Sequence, residues 1–310
     1  MKFWIVTPSY NQLDWIKTCI ASVADQYLLE DNSLNKIEVH HHIQDASSSD
    51  GTPKWLEQYS NDLIQKKVQG YSFSYESKKD EGMYDALNTG WKKAPPDTDI
   101  IAHLNCDEQY LPHALERVAH FFKNNKKVEV LLTDMIIVTK TDTYVCHRRS
   151  VFPIPLLSRL YCAGMTASTF HRAHITQTKN IYFDTQWKMV GDMVWYNALH
   201  DAKIKFATLN IFTSSFAESG ENLMRSDAGA EELKRYRKQY LHGTKLNLLG
   251  RKIQTLRMFF LNFFLPTPLT VEIYKKGNSL RSQIKITHPT IFWGNPLSKL
   301  FKQKNNIFSN

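Results

Sequence analysis

The first 132 residues alternate between short apolar runs and amphipathic segments, and this alternation constrains the fold more than any other feature. Short apolar or alternating runs predict strands at residues 3–6, 37–43, 71–75, 100–104 and 128–132. Apolar residues that recur every three or four positions predict helices at residues 14–24, 53–64, 83–91 and 112–122. Strands and helices that alternate in this order form a mostly parallel, Rossmann-like sheet with helices on both faces. The sequence therefore predicts an α/β fold.

The pattern changes after about residue 134. Residues 136–144, followed by a basic loop, indicate an antiparallel strand, and residues 192–199 form a predicted helix. Residues 231–256 are basic and helical in pattern. We therefore expect a folded body over residues 1–215 and a basic, amphipathic, helical extension over residues 216–310.

Charge is distributed unevenly along the 310 residues. The net charge is +9, yet residues 231–310 hold 15 Lys and Arg against three Asp and Glu. A uniformly basic nucleic-acid-binding protein would not concentrate its charge in this way, so no specific nucleic-acid partner is expected. The four cysteines have no CxxC spacing, which disfavours a zinc or thioredoxin site and suits a reducing cytoplasm.

The basic C-terminal quarter has an aromatic-rich segment at residues 256–265, flanked by Lys and Arg. This pattern is typical of a helix that lies in the plane of an anionic membrane surface, and a helix packed on the catalytic domain is the alternative. No stretch approaches the ~20 apolar residues that a membrane-spanning helix needs. We expect residues 250–310 to bind the inner face of the cell membrane, which gives a cytoplasmic, peripheral location.

Four polar clusters follow predicted strands, where open parallel sheets bind their ligands. They are Thr7–Gln12, Asp45–Thr52, Lys78–Gly90 and Asn105–Glu108. The first opens a helix whose N-terminus suits a phosphate, although an ordinary turn explains it as well. Asp45 can accept an N–H group of a nucleobase or a ribose hydroxyl, although the following Ser-Asp-Gly-Thr is also a good turn and helix cap.

The third and fourth clusters carry acidic residues. Asp85 and Asn88 share one face of a helix, which either points into the cleft or is solvated. Asp107 and Glu108 follow a buried strand, where carboxylates are costly without a positive partner. Mg²⁺ or Mn²⁺ bridging two phosphates is the natural partner, because both ions take carboxylate and phosphate oxygens.

Together the four clusters resemble the motifs of inverting family-2 glycosyltransferases with the GT-A fold, particularly small bacterial enzymes of polysaccharide assembly. Residues 165–172, Met-Thr-Ala-Ser-Thr-Phe-His-Arg, are similar to a further segment of that family. Two departures are present: Asn105 replaces the first Asp of the metal motif, and Gly191 replaces the Glu before the family's catalytic Asp.

The resemblance implies a role for each matching residue. Asp192 is the implied catalytic base, Asp107 the implied ligand of a divalent metal, and Glu221 and Asn222 the implied acceptor side. The implied nucleotide-binding residues are Thr7, Pro8, Tyr10, Asn11, Asp45, Lys79, Asp80, Asn88, Asn105, Cys106 and Asp107. The implied reaction moves one sugar from a nucleotide-diphosphate sugar, most simply a UDP-sugar, to a glycan or lipid-linked acceptor. Since the QxxRW signature of processive synthases is absent, single transfer is favoured.

Two other functions stay open at this stage. A GT-A-fold nucleotidyltransferase would need a basic triphosphate loop, which Thr7–Gln12 lacks, and a non-catalytic membrane-bound scaffold would keep the fold without turnover. The run His40-His41-His42 does not predict a metal site, because neighbouring residues of a strand point to opposite faces. We expect these histidines at the surface or at a strand edge.

Without the upstream motifs, Asp192 would be interpreted as a carboxylate that stabilises the helix dipole at an N-terminus.

Overall fold

The computed structural model describes residues 1–27, 37–66, 70–138, 164–217, 227–241, 252–253, 256, 260 and 268–286, and the backbone of residues 144–147. Seven helices lie in these ranges. They are α1 (Leu13–Ala24), α2 (Thr52–Lys66), α3 (Met83–Lys92), α4 (Ala114–Asn124), the single turn α5 (His174–Gln177), α6 (Gly191–Asp201) and α7 (Asp227–Leu241). The five helices predicted within residues 1–215 correspond to α1, α2, α3, α4 and α6.

Nine strands of the described chain form one mixed sheet. They are β1 (Lys2–Ser9), β2 (Glu38–Asp45), β3 (Tyr71–Ser77), β4 (Ile100–His103), β5 (Glu108–Tyr110), β6 (Val130–Val138), β7 (Tyr144–His147), β8 (Thr169–Arg172) and β9 (Phe206–Ala217). The spatial order is β3-β2-β1-β4-β8-β6-β9-β5, and β7 also pairs with β6. The first four strands of this order are parallel, and β8 joins them antiparallel to β4 and β6.

Both faces of the sheet are covered by helices, which the alternation of β1 illustrates. Phe3 and Ile5 pack with residues of α1 and α4, whereas Trp4 and Val6 pack with residues of α3 and α6. Because successive side chains of a strand point to opposite faces, one fully apolar strand supplies both cores. The predicted α/β fold with helices on both faces is confirmed.

The described part of the C-terminal region contains a β-hairpin as well as the helix α7. Its strands are β10 (Leu269–Tyr274) and β11 (Arg281–Ile286), which pair antiparallel. Val271, Ile273, Ile284 and Ile286 pack against Leu111 and Ile136 of the main body. The sequence pattern predicts only helix here, because a six-residue strand of mixed polarity gives a weak periodic signal within a basic segment.

The expectation for the three consecutive histidines was wrong. They lie on β2, which is an interior strand between β1 and β3, and His41 and His42 are buried. The His40 ring stacks on Trp4 with 4.1 Å between ring centroids, and both of its nitrogens are within 2.7 Å of serine hydroxyls on β3. Burial lowers the pKa of His40 and of His42 to about 4. Neutral histidines with serine partners are thus accommodated inside the sheet.

No helix in the described ranges combines the length and the hydrophobicity needed to cross a membrane.

Candidate active site

The carboxyl ends of three neighbouring strands meet at one row of residues. In the strand register Ser9 of β1 lies opposite Asp45 of β2, and Asp45 lies opposite Ser77 of β3. The buried Asp45 carboxylate accepts hydrogen bonds from the Ser77 hydroxyl at 2.6 Å and from the Ser48 backbone N–H at 3.0 Å. The position of Asp45 is therefore fixed both by β3 and by the turn that follows β2.

The loops that follow β1 and β2 are bonded to each other. Asn11, whose backbone φ is +50°, donates its N–H to the Ser48 hydroxyl and accepts the Ser49 N–H at its side-chain oxygen, both at 2.8 Å. Asp50 accepts the N–H groups of Leu13 and Thr52, which open α1 and α2. Burial alone would raise the pKa of Asp50, but these hydrogen bonds and the Thr52 hydroxyl hold that pKa below its usual value.

The loop between β3 and α3 continues from this row. The N–H of Lys78 donates to the Asp45 carbonyl at 2.8 Å, and the Asp80 carboxylate accepts the N–H of Gly82 at 2.9 Å. Gly82 has φ of +114°, a conformation that glycine adopts without the steric cost other residues have. Burial, together with the charges of Asp85 and Asp45, raises the pKa of Asp80. Asp80 thus lies close enough to Asp45 to be influenced by its charge.

The acidic loop after β4 lies beside the end of β1. The Cys106 thiol donates to the Pro8 carbonyl at 3.3 Å, and the Asn105 N–H donates to the Glu108 carboxylate at 2.6 Å. Burial raises the pKa of both Asp107 and Glu108, and the charge of Asp107 raises that of Glu108 further. The Asn105 side-chain oxygen is buried and accepts no hydrogen bond from the described residues. The loop therefore presents an amide oxygen and a carboxylate for which a cation is a suitable partner.

Asp192 lies in the first turn of α6 and contacts the first turn of α3. Its N–H donates to the Tyr84 hydroxyl at 3.2 Å, and its own carboxylate accepts the Met193 N–H at 2.8 Å. The preceding residue, Gly191, leaves no room for a side chain, because a Cβ there would lie 2.6 Å from the Tyr84 ring. Close packing on Tyr84 therefore explains why glycine stands at this position.

A second contact joins the Asp192 segment to the loop before α3. The Lys188 ammonium group donates to the Glu81 carbonyl at 2.7 Å, and its charge lowers the pKa of Asp80 against the effect of burial. Contacts thus run without a break from Asp45 through residues 77–84 to Asp192. The structure therefore connects Asp45 and Asp80 to the segment that carries Asp192.

A known protein family matches the segment of the chain that carries the strand-end carboxylates. The family model described as Glycosyl transferase family 2 matches residues 4–187. The chain belongs to glycosyltransferase family 2. No curated protein matches it.

Solved structures of S. aureus TarS are similar to this family-2 glycosyltransferase. One TarS chain is 19% identical with a TM-score of 0.54, over 84% of this chain and 43% of that one. TarS 1–349 in complex with UDP is 18% identical with a TM-score of 0.54, over 80% of this chain and 74% of that one. TarS 1–349 in complex with UDP-GlcNAc is 17% identical with a TM-score of 0.55, over 84% and 72%. This likeness shows the GT-A fold.

Members of this family commonly use a divalent metal. Within the described ranges no three His, Cys, Asp or Glu side chains form a complete metal site. The Asn105 oxygen and the Asp107 carboxylate are nevertheless ligands that Mg²⁺ and Mn²⁺ prefer, and a nucleotide diphosphate supplies the remaining oxygens in sites of this type. The residues present therefore fit the protein's share of a metal–diphosphate site.

Several residues predicted to bind the nucleotide have buried side chains in this glycosyltransferase. The Thr7 hydroxyl lies 2.9 Å from a ring nitrogen of His41 inside the sheet, and Cys106 is buried against Pro8. Asn88 bonds the backbone of Phe183 through its amide. Position therefore favours structural roles for Thr7, Pro8, Cys106 and Asn88. Glu221 and Asn222, the predicted acceptor residues, lie outside the described residues.

Sequence reasoning missed four residues that hold the site together. Ser48 and Ser77 bond Asp45, Tyr84 bonds the backbone of Asp192, and Glu232 bonds the loop before Asp192. Ser48 and Tyr84 lie within the clusters at residues 45–52 and 78–90, whereas Ser77 and Glu232 lie outside all four clusters.

An open cavity of about 690 Å³ lies elsewhere, between α4 and β9. Its lining includes His113, Arg117, His120 and Leu209, and it contains none of the predicted site residues. We therefore assign the candidate site from its side-chain chemistry and hydrogen bonds and not from the size of a cavity.

Proposed function

We propose that this chain is an inverting, non-processive glycosyltransferase that moves one sugar from a UDP-sugar to a hydroxyl group of a glycan or lipid-linked acceptor in cell-surface polysaccharide biosynthesis. One observation carries this proposal: the short segment 77–84 bonds Asp45 at one end and Asp192 at the other. Asp45, which is proposed to recognise the nucleotide, and Asp192, the candidate base, are therefore held a fixed distance apart. The structures of TarS with UDP and UDP-GlcNAc support a UDP-linked donor.

The donor nucleotide occupies the carboxyl ends of β1 and β2 in this proposal. Tyr10 directly follows β1 with 64% of its surface exposed, so its ring is available to stack on a base. Asp45 accepts a base N–H or a ribose hydroxyl, while Asn11 fixes the adjoining loop. Lys79 and Asp80 border the nucleotide on the side of β3.

The diphosphate lies at the loop 105–107, where Asn105 and Asp107 would hold Mg²⁺ or Mn²⁺. Such an ion, when bound, neutralises the charge that develops on the leaving diphosphate. Because burial raises the pKa of Asp107, its carboxylate is costly to ionise without a cation nearby. The chain's part is to keep Asp107 beside the end of β1, which the contact between Cys106 and Pro8 does.

Asp192 is the general base in the proposed mechanism. It accepts the proton of the acceptor hydroxyl while that oxygen attacks the anomeric carbon from the face opposite the nucleotide. The bond to the diphosphate breaks as the new glycosidic bond forms, so a single displacement inverts the anomeric configuration. Tyr84 orients the base by bonding its backbone, and correct positioning supplies much of the rate.

The test compares Asp192→Asn with Asp201→Asn, an exposed carboxylate at the other end of the same helix. We expect Asp192→Asn to abolish transfer and to leave thermal stabilisation by UDP within error of wild type, since the nucleotide contacts are unchanged. Asp201→Asn should behave as wild type in both measurements. Unchanged turnover in Asp192→Asn would remove it as the base.

A panel of nucleotide sugars and nucleoside triphosphates separates the two other functions. A glycosyltransferase releases UDP from its cognate sugar, whereas a nucleotidyltransferase consumes a triphosphate and a scaffold consumes neither. Membership of family 2 and the absence of Lys and Arg from Thr7–Gln12 favour the first outcome. Melting temperatures with each nucleotide sugar, with and without Mn²⁺, identify the donor.

Membrane association is the second part of the proposal, with residues 250–310 seated on the cytoplasmic face of the cell membrane. Three residues described in this region, Ile253, Leu256 and Phe260, have helical backbone and are 39%, 58% and 57% exposed. Their spacing of three and four residues is the sequence period of one helix face. An exposed apolar face amid Lys and Arg suits the boundary of an anionic bilayer.

Removing residues 250–310 would also remove the hairpin that covers Ile136, so substitution is the sharper test. We expect Ile253→Glu, Leu256→Glu and Phe260→Glu together to abolish pelleting with anionic liposomes. Ile64→Glu, at another exposed apolar residue, should leave pelleting intact. If the triple variant pellets as well as wild type, the proposed membrane surface is refuted.

We also propose residues 1–215 as the catalytic domain and residues 216–310 as its acceptor- and membrane-side region.

A further inference from the structure

Helix α7 contributes a carboxylate to the segment that leads into α6. Glu232 accepts the backbone N–H groups of Lys188, Met189 and Val190 at 2.8, 2.5 and 2.9 Å. Its side chain is only 12% exposed. A carboxylate with three N–H donors makes charge-assisted hydrogen bonds, which are stronger than neutral ones. The three residues before Gly191 are therefore held by a side chain more than 40 residues away in the chain.

Other contacts fix α7 itself in place. Buried Tyr236 accepts a hydrogen bond from the Asn197 amide of α6 at 2.7 Å. The guanidinium group of Arg235 lies 3.9 Å from the centre of the Trp187 ring and donates to the Gln186 carbonyl at 3.0 Å. Glu232 is thus presented from a helix that is anchored on both sides of the segment it binds.

The local geometry also explains why this carboxylate comes from a distant helix. The Tyr84 ring occupies the space that a side chain at position 191 would need. No carboxylate can therefore stand directly before Asp192, yet the N–H groups that open α6 need acceptors and favour negative charge. Glu232 supplies negative charge from outside the helix, where it accepts the N–H of Val190, which directly precedes α6, and those of the two residues before Val190.

We infer that Glu232 is a positioning residue for Asp192, an inference that rests on the proposed role of Asp192 as the base. Glu232 fixes the backbone from which Asp192 projects. It also fixes the backbone of Lys188, whose ammonium group donates to the Glu81 carbonyl in the loop between β3 and α3. Through these two links Glu232 sets the distance between the base and the donor sugar. Helix α7, which lies beyond the matched family segment, would then carry the residue that positions the base.

The first test measures kcat, donor KM and melting temperature for Glu232→Ala, Glu232→Gln and Glu232→Asp. A misplacement of about 1 Å costs about 100-fold in rate, so we expect Glu232→Ala to lower kcat about 10- to 100-fold. Donor KM should stay within about threefold of wild type, because no proposed nucleotide contact is changed. Glu232→Asp, which keeps the charge, should recover more of kcat than Glu232→Gln. The matched control is Glu231→Gln, which is 77% exposed on the same helix and should leave kcat unchanged.

The second test needs no turnover. Hydrogen exchange in the full-length protein should become faster at the amides of residues 188–192 in Glu232→Ala and not in Glu231→Gln. Wild-type exchange there, or wild-type kcat in Glu232→Ala, would overturn the inference. A fall in kcat that merely follows the folded fraction would also overturn it.

Asp192→Asn, assayed in parallel, distinguishes failure of the proposed base from failure of the positioning role of Glu232. If Asp192→Asn is inactive and Glu232→Ala is as active as wild type, only the positioning role fails. If Asp192→Asn turns over normally, the proposed base fails, and with it the inference drawn for Glu232.

Discussion

Asn88 and Phe183 are joined by two buried hydrogen bonds although 95 residues separate them. The Asn88 amide donates to the Phe183 carbonyl at 2.9 Å and accepts the Phe183 N–H at 3.0 Å. This pairing makes α3 and the segment before α6 a single unit. Since Asp80 precedes α3 and Asp192 opens α6, the pair also fixes the two sides of the candidate site.

Asn88→Ala should destabilise the protein by about 2 kcal/mol, because it leaves a buried N–H and a buried C=O without partners. Urea denaturation measures the change. Asn124→Ala, which removes an exposed amide bonded only within α4, should cost much less. A loss of UDP binding in Asn88→Ala at unchanged stability would instead return Asn88 to the nucleotide site.

Gly191→Ala should lower both stability and turnover, because the added Cβ would meet the Tyr84 ring at 2.6 Å and push Asp192 away. Overpacking of this kind costs about 1–3 kcal/mol. Adding Tyr84→Leu should recover stability by making room. It should not recover turnover, since the hydroxyl that bonds the Asp192 backbone is then gone. Calorimetry and a transfer assay measure the two effects, and a fully active Gly191→Ala would contradict the proposed geometry.

His103 should make the stability of the protein depend on pH below neutrality. Burial lowers its pKa from 6.5 to about 3, so the folded state takes up this proton less readily than the unfolded state does. The associated stability is present above pH 6.5 and is lost as the pH falls towards 3, by up to about 1.4 kcal/mol per pH unit. His103→Leu should reduce the slope of unfolding free energy against pH between 6 and 4. The exposed His120→Leu is the control, and an equal slope in His103→Leu would show the prediction wrong.

Arg281→Ala should release the β10–β11 hairpin from the main body. Arg281 bonds both oxygens of Asp25, at 2.6 and 2.8 Å, and the Tyr274 hydroxyl bonds the same carboxylate at 2.9 Å. Breaking this partly buried pair leaves Asp25 short of a positive partner and should cost about 2 kcal/mol. Limited proteolysis should then cut within residues 268–286 faster than in wild type. Lys285→Ala, on the exposed side of β11, should be cut at the wild-type rate.

The sequence predicted the catalytic-region elements well because their signals are local. Apolar periodicity places α1 through α4 and β1 through β4 from neighbouring residues alone. Their alternation then fixes which strand ends face the cleft, so Asp45 and Asp107 could be assigned to it. The hairpin β10–β11 escaped prediction because its four buried residues acquire their apolar environment from distant residues of the main body, including Leu111 and Ile136.

The sequence by itself determined the α/β class, the family and the cluster of strand-end polar residues, since each follows from local pattern or motif. Only the tertiary structure decided how those residues are used. Asn88 is directed to Phe183, Thr7 to His41, and Glu232 to the loop before Asp192. These partners are 95, 34 and about 40 residues apart, and hydrogen bonds over such separations leave no periodic trace in the chain. They form because buried polar groups must find partners wherever packing brings them together.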